Sequence, residues 1–193
     1  MSILRHYVRD DRGAVTVDFV VTFLPIMLFI LTICEIAIAY YLISSAQKGA
    51  QLGARLAAVQ TPIHNGVWLE NRVNLANGEE GDSCYQASGN DACLDPGVTW
   101  ECLGSSFDTN VCDWTAFTAI VTEVQRLYPT IQAGDVDISY IYRRLGVAGG
   151  PFVPEVRVTI AQRDSPVNFM SLAGLFRLRS ASASVLAEDM LTN

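Results

Sequence analysis

The chain has one lysine, Lys48, and two histidines, His6 and His64, among its 193 residues. These shortages exclude whole classes of function. A nucleic-acid footprint shows as clustered Lys and Arg, and the net charge of −7 opposes one. A histidine-based catalytic or metal centre needs its imidazoles together, but an apolar run separates His6 from His64. There is no Gly-x-Ser-x-Gly, no His-Glu-x-x-His, no phosphate loop and no paired Cys/His arrangement. The expectation is a protein that is not an enzyme, with no cofactor, no metal and no nucleic-acid partner.

Charge is absent altogether from Phe19 to Cys34, and apolar character runs on through Ala46. Gly13 to Val59 reads as one helix. Its apolar part, Phe19 to Tyr41, suffices for a bilayer crossing, which needs ~20 residues. A cleaved secretory signal has a shorter apolar core and a small-x-small exit. Here no helix breaker follows until Thr61-Pro62, so the segment reads as retained. At 1.5 Å per residue the helix reaches ~68 Å, about twice the hydrocarbon thickness, and its outer part should form a stalk. Pro25 removes one backbone bond and should kink it. The outer part carries Ser44, Ser45, Ala46, Gly49, Ala50, Gly53, Ala54, Ala57 and Ala58. Small residues at spacings of three and four make a smooth face that another helix can approach closely.

Two acids lie in this helix, Asp18 and Glu35. A carboxylate at bilayer depth costs a few kcal/mol on insertion scales. Two readings stand side by side: both residues snorkel to an interface, or both serve helix–helix assembly. Orientation follows weakly from Arg5, Arg9 and Arg12 before the helix against Lys48 and Arg55 after it. The cysteines orient it better. Cys34 is a small apolar residue in the run, whereas Cys84, Cys93, Cys102 and Cys112 lie in a Gly/Asp/Ser-rich stretch. Two disulfides are expected, hence an oxidising compartment. Zinc is the rival, but spacers of eight, eight and nine residues depart from the Cys-x2-4-Cys pairs of structural sites. Neighbour pairing, Cys84–Cys93 with Cys102–Cys112, is slightly favoured because shorter loops close at lower entropy cost. The nested pairing is the alternative.

Glu79, Glu80, Asp82, Asp91, Asp95, Glu101, Asp108 and Asp113 fall in the same stretch without one basic residue. Their spacing does not follow the Asp-x-Asp-x-Asp-Gly of a calcium loop, and a solvated loop is the simpler reading. Beyond it, Trp114, Phe117, Ile120, Val121, Val124, Leu127 and Tyr128 share a helical face that Pro129 ends. Val136, Ile138, Tyr140 and Tyr142 alternate as a strand, and Val156, Val158 and Ile160 as a second. Gly146, Gly149 and Gly150 mark the turn between them. Pro166 to Phe176 suggests a short helix, and Leu178 to Ala187 a last strand with Ala181, Ala183 and Val185 on one face. This is a small α+β head with an antiparallel sheet.

Residues Arg12 to Val20 resemble the start of TadE-like proteins, minor pilins or pseudopilins of the tight-adherence (Tad, or Flp) pilus. Pro25, Glu35 and the segment Gly49-Ala50-Gln51-Leu52-Gly53-Ala54-Arg55-Leu56-Ala57-Ala58 match the same pattern. The resemblance covers about residues 12–60; the C-terminal half agrees only in general plan. It implies a prepilin peptidase that cuts after Gly13 and leaves Ala14 as the new N-terminus. Asp18 then stands fifth, where pilins usually carry glutamate, followed by Phe19. That carboxylate can meet a neighbouring subunit's α-amino group in the low-dielectric assembly. Asp18, Phe19, Glu35, Gly49, Gly53 and Arg55 are the expected subunit-assembly residues. The implied partners are the lipid bilayer, the peptidase, other pilus subunits and the assembly machinery. The implied location is the bacterial inner membrane, N-terminus cytoplasmic and C-terminal domain periplasmic, or a pilus outside the cell. The expected organisation is a cytoplasmic leader over 1–13, a transmembrane and stalk helix over 14–60, a disulfide-rich loop region over 61–113 and a pilin-like α+β head over 114–193.

Overall fold

The computed structural model describes residues 14–69, 79–85, 92–93, 95–151, 153–161 and 180–187. The leader with Gly13 and the helix expected over 166–176 lie outside the described residues. The chain divides into two compact units, Met1–Tyr41 with Asp164–Arg177, and Leu42–Arg163 with Leu178–Asn193.

Helix α1 spans Ala14–Val59 and contains Pro25. Its residues up to Tyr41 belong to the first unit. There the side chains from Val17 onward are almost all exposed, and the apolar ones include Phe19, Val21, Leu24 and Phe29. The hydroxyls of Thr22 and Thr32 donate to the carbonyls of Asp18 and Leu28, each at 2.8 Å. Hydroxyls that close on their own helix leave the surface without unsatisfied donors, as an apolar solvent demands.

The second unit is the head. From Leu42 onward α1 is two-faced. Ser45, Ala46, Gly49, Ala50, Gly53, Ala54, Ala57 and Ala58 are buried, while Gln47, Lys48, Gln51, Arg55 and Val59 are exposed. This part is no free stalk: its small-residue face is a wall of the head's core. A short helix, α2 (Asn65–Leu69), follows it. Strand β1 is Thr99–Leu103, helix α3 Trp114–Leu127, β2 Val136–Tyr142, β3 Pro154–Ile160 and β4 Ala181–Leu186. The strands form one antiparallel sheet in the order β1-β2-β3-β4.

Strands β2 and β3 follow the alternation in the sequence. Val136, Ile138, Tyr140, Tyr142, Val156, Val158 and Ile160 are buried on one face, with Pro154 joining them. Register keeps them together: Ile138 lies opposite Val158 and Tyr140 opposite Val156. Helix α3 starts on Asp113, whose carboxylate accepts from Thr115 N at 2.7 Å and Ala116 N at 3.2 Å. This cap satisfies two of the N–H groups a helix start leaves open. Phe117, Ile120, Val121 and Val124 point inward, but Trp114 and Leu127 are exposed although they share the expected face. Trp114 still stacks on Phe117 at 5.7 Å, and Phe107 packs against both rings with centroids 4.8 Å from each.

Strand β1 departs from the sequence expectation, which held 61–113 to be loop. Trp100 and Cys102 turn inward, opposite Tyr140 and Ile138, while Thr99 and Glu101 face out. Two inward residues are too few to show a period, and one is a cysteine already spoken for by a disulfide. The disulfides are part of the core here. Cys84, Cys93, Cys102 and Cys112 are buried in the same apolar cluster as α3 and the sheet.

Candidate functional site

Two features of the fold bear on function: the exposed apolar half of α1 and the joint where α1 enters the head. Residues 19–41 give ~34 Å of helix, against a hydrocarbon layer ~30 Å thick. Among the described residues, α1 is one helix long and apolar enough to cross a membrane. Tyr40 and Tyr41 are 74% and 64% exposed at the end of the run, where aromatic rings with a polar tip suit the headgroup level. Asp18 is exposed and Glu35 half-buried. They stand ~26 Å apart along the helix, one near each end of the apolar run. Phe19 stacks on Phe23 with centroids 5.3 Å apart.

Gly49 and Gly53 have a role inside the chain. A β-carbon on Gly49 would lie 3.1 Å from Val124 Cγ1, and one on Gly53 3.2 Å from Val124 Cγ2 and 3.3 Å from Val158 Cγ1. The smooth face thus receives the head's own α3 and β3. Arg55 stands on the opposite, exposed ridge with Lys48 and Gln51.

The joint brings residues 63–65 to Tyr140, Cys112 and Asp113, a meeting that the pattern of the sequence did not indicate. Ile63 N–H donates to the buried Tyr140 hydroxyl at 3.1 Å. Asp113 N–H donates to Ile63 O and Asn65 N–H to Val111 O, so residues 63–65 run antiparallel beside 111–113. The Cys102–Cys112 disulfide ties that segment to β1. The Cys84–Cys93 disulfide holds a second staple, where Cys84 N–H donates to Gly146 O and Ala148 N–H to Asp82 O. The neighbour pairing is therefore the one present. The only sequence signal for the joint was the Asn65-Gly66 dipeptide, a turn mark.

The acidic stretch is spread through turns. Asp82 accepts from Glu79 N, Asp95 from Gly97 N and Asp108 from Asn110 N, at 2.9–3.0 Å. Each carboxylate closes a local backbone turn, the ordinary work of aspartate in loops. Among the described residues, no three His, Cys, Asp or Glu side chains converge as a metal set.

The comparison with protein families now has a place to fall. Residues 13–55 match the family model of TadE-like protein. The TadE-like match covers the apolar part of α1 and ends on Arg55 within the same helix. Asp18, Phe19, Pro25, Glu35, Gly49 and Gly53 all lie within it. No curated protein and no solved structure matches the chain. The TadE-like segment and the apolar helix together fit a single-pass membrane protein associated with a Tad pilus.

Proposed function

We propose that this protein is a minor pilin or pseudopilin of a Tad pilus, anchored in the bacterial inner membrane by the first half of α1 and presenting its disulfide-bonded head to the periplasm. The TadE-like match over the apolar helix carries this reading, and in it a prepilin peptidase cuts after Gly13. Removal of residues 1–13 leaves Ala14 as the N-terminus and Asp18 fifth. Asp18, Phe19, Glu35 and Arg55 are exposed or half-buried on α1, and in this reading they meet neighbouring subunits. The role is structural. Buried disulfides in the head suit an oxidising compartment.

Intact-mass measurement of the membrane-extracted protein tests the reading. The expected mass is that of a chain beginning at Ala14. Replacing Gly13 by isoleucine should leave the full-length chain in cells. Normal processing of that variant, or a full-length wild-type protein in cells that process other pilins, counts against it. The remaining reading would then be a single-span protein that displays a binding head outside any fibre.

A further inference from the structure

Besides the Asp113 cap of α3, three turns among the described residues of the head are closed by a side chain that accepts from the N–H two residues on. Asp95 holds Gly97 N, Asp108 holds Asn110 N, and His64 Nδ1 holds Gly66 N, each at 2.9 Å. The first two use carboxyl groups, which keep an acceptor oxygen in either protonation state. The third uses an imidazole nitrogen, which accepts only while the ring is neutral. That assigns the ring proton to Nε2.

The His64 turn is tightly seated. A β-carbon on Gly66 would lie 2.4 Å from Cδ1 and Nε1 of Trp100, so the backbone at Gly66 lies in close contact with the indole. His64 pairs with Cys112 in an isolated bridge, and the Ile63 and Asn65 backbones are bonded to residues 113 and 111. Gly66 is the second residue of α2, so His64 occupies the cap of that helical turn. A positive ring there would face the open N–H ends of the turn, which repel it.

We infer that His64 is an acid-sensitive latch: protonation of Nδ1 turns the acceptor of Gly66 N–H into a donor and frees the turn 64–67 from beneath Trp100. The proton comes from solvent, which reaches the half-buried ring. Among the described residues no ion pair engages His64; the carboxylates on the elements around it are Glu101, Asp108 and Asp113. On β1, Glu101 lies on the opposite face from Trp100. Before α3, Asp108 is occupied by both nitrogens of Asn110, and Asp113 by Thr115 and Ala116. Burial accordingly places the His64 pKa below its ordinary 6.5. The latch is closed above pH 6.5 and opens as pH falls through that lower value. A domain outside the cytoplasm meets such acidity directly, so the joint between α1 and the sheet would loosen in an acid medium.

The test is amide exchange at Gly66 in the full chain held in detergent, corrected for the intrinsic rate at each pH. Wild-type protection should fall by up to about tenfold per pH unit below 6.5, while amides of β2 and β3 hold theirs. His64→Asn places an amide oxygen where Nδ1 stands and keeps the turn without a titrating group. That variant should protect Gly66 equally from pH 7 to pH 5. Flat protection in the wild type overturns the latch, and so does an equal decline in both proteins. Should His64→Asn fold poorly, His64→Asp supplies an acceptor at the same position as Nδ1, and the wild-type titration stands by itself.

Discussion

Gly53 of α1 lies against Val124 of α3 so closely that its missing β-carbon would sit 3.2 Å from Val124 Cγ2. Val158 of β3 closes the other side at 3.3 Å. Glycine lets helix, helix and sheet meet at one point, and Ala50, Ala54 and Ala57 continue the approach along α1 with no exposure above 1%. Gly53→Ala should be nearly neutral: about 1 kcal/mol of helix propensity is gained, and a tight contact offsets it. Gly53→Leu should destabilise the head by roughly 1–3 kcal/mol through overpacking. Urea unfolding in detergent, followed by near-ultraviolet circular dichroism, reads both. An unchanged midpoint for the leucine variant would show that the face is loosely packed.

The same contact shows how far the sequence carries. Small residues at positions 44–58 announce a close approach by something, and periodicity cannot say whether that is a second subunit or the chain's own head. The structure answers with Val124, Val158 and Ile160. Strands β2, β3 and β4 were legible because each alternates over enough residues for a period of two to stand out. Strand β1 was hidden because its inward pair, Trp100 and Cys102, is short and set in a polar stretch. The joint at residues 63–66 rests on a backbone donor meeting a tyrosine hydroxyl 77 positions away, which no local pattern encodes. The apolar half of α1 was readable in full, since an uncharged run of that length has few other uses.

Tyr140 should reveal the joint from the sheet side. Tyr140→Phe keeps the ring but leaves the Ile63 N–H without its acceptor, at a cost of about 1–3 kcal/mol. The same residue sets an alkaline limit. Burial pushes its pKa up to about 12, while the hydrogen bond from Ile63 pulls weakly the other way. The folded state therefore holds the phenol proton where an unfolded chain, at its ordinary 10, has lost it. Stability from this group is complete below pH 10 and is lost as pH rises towards 12. A stability–pH curve should fall less steeply over that interval in the variant. Parallel curves would exclude Tyr140 from the transition.

On the outer face of the sheet, Glu155 is engaged by Arg143 through one oxygen and by Arg157 at 3.2 Å through the other. Arg143 contributes most to holding the Glu155 carboxyl below its ordinary 4.5, burial opposes, and hydrogen bonds from Ser184 and Arg157 add. A lowered carboxylate stabilises the fold above its unfolded pKa. That contribution is complete above about pH 4.5 and disappears as pH drops through the folded value. Glu155→Gln should flatten the acid limb below pH 4.5 and leave the His64-dependent change at higher pH unaltered. A steep acid limb retained by the variant would assign it to other carboxylates.

The disulfides allow the sharpest chemical test. Cys84–Cys93 and Cys102–Cys112 each close about ten residues, and restricting so short a loop in the unfolded chain is worth about 2–3 kcal/mol. The two differ in what they join. Cys102 sits on β1, and Cys112 directly precedes the Asp113 cap of α3, so this bridge fixes an edge strand to the start of a helix and to the joint at His64. Cys84–Cys93 holds a turn against the β2–β3 connection. Replacing Cys102 and Cys112 by serine should therefore cost more than replacing Cys84 and Cys93, and only the former should raise amide exchange at Asn65 and Asp113. In the unreduced, denatured wild-type protein, maleimide should label Cys34 alone, since it is the free cysteine. Five labels per chain would mean that the head folds with its thiols reduced, and the case for an oxidising compartment would go with them.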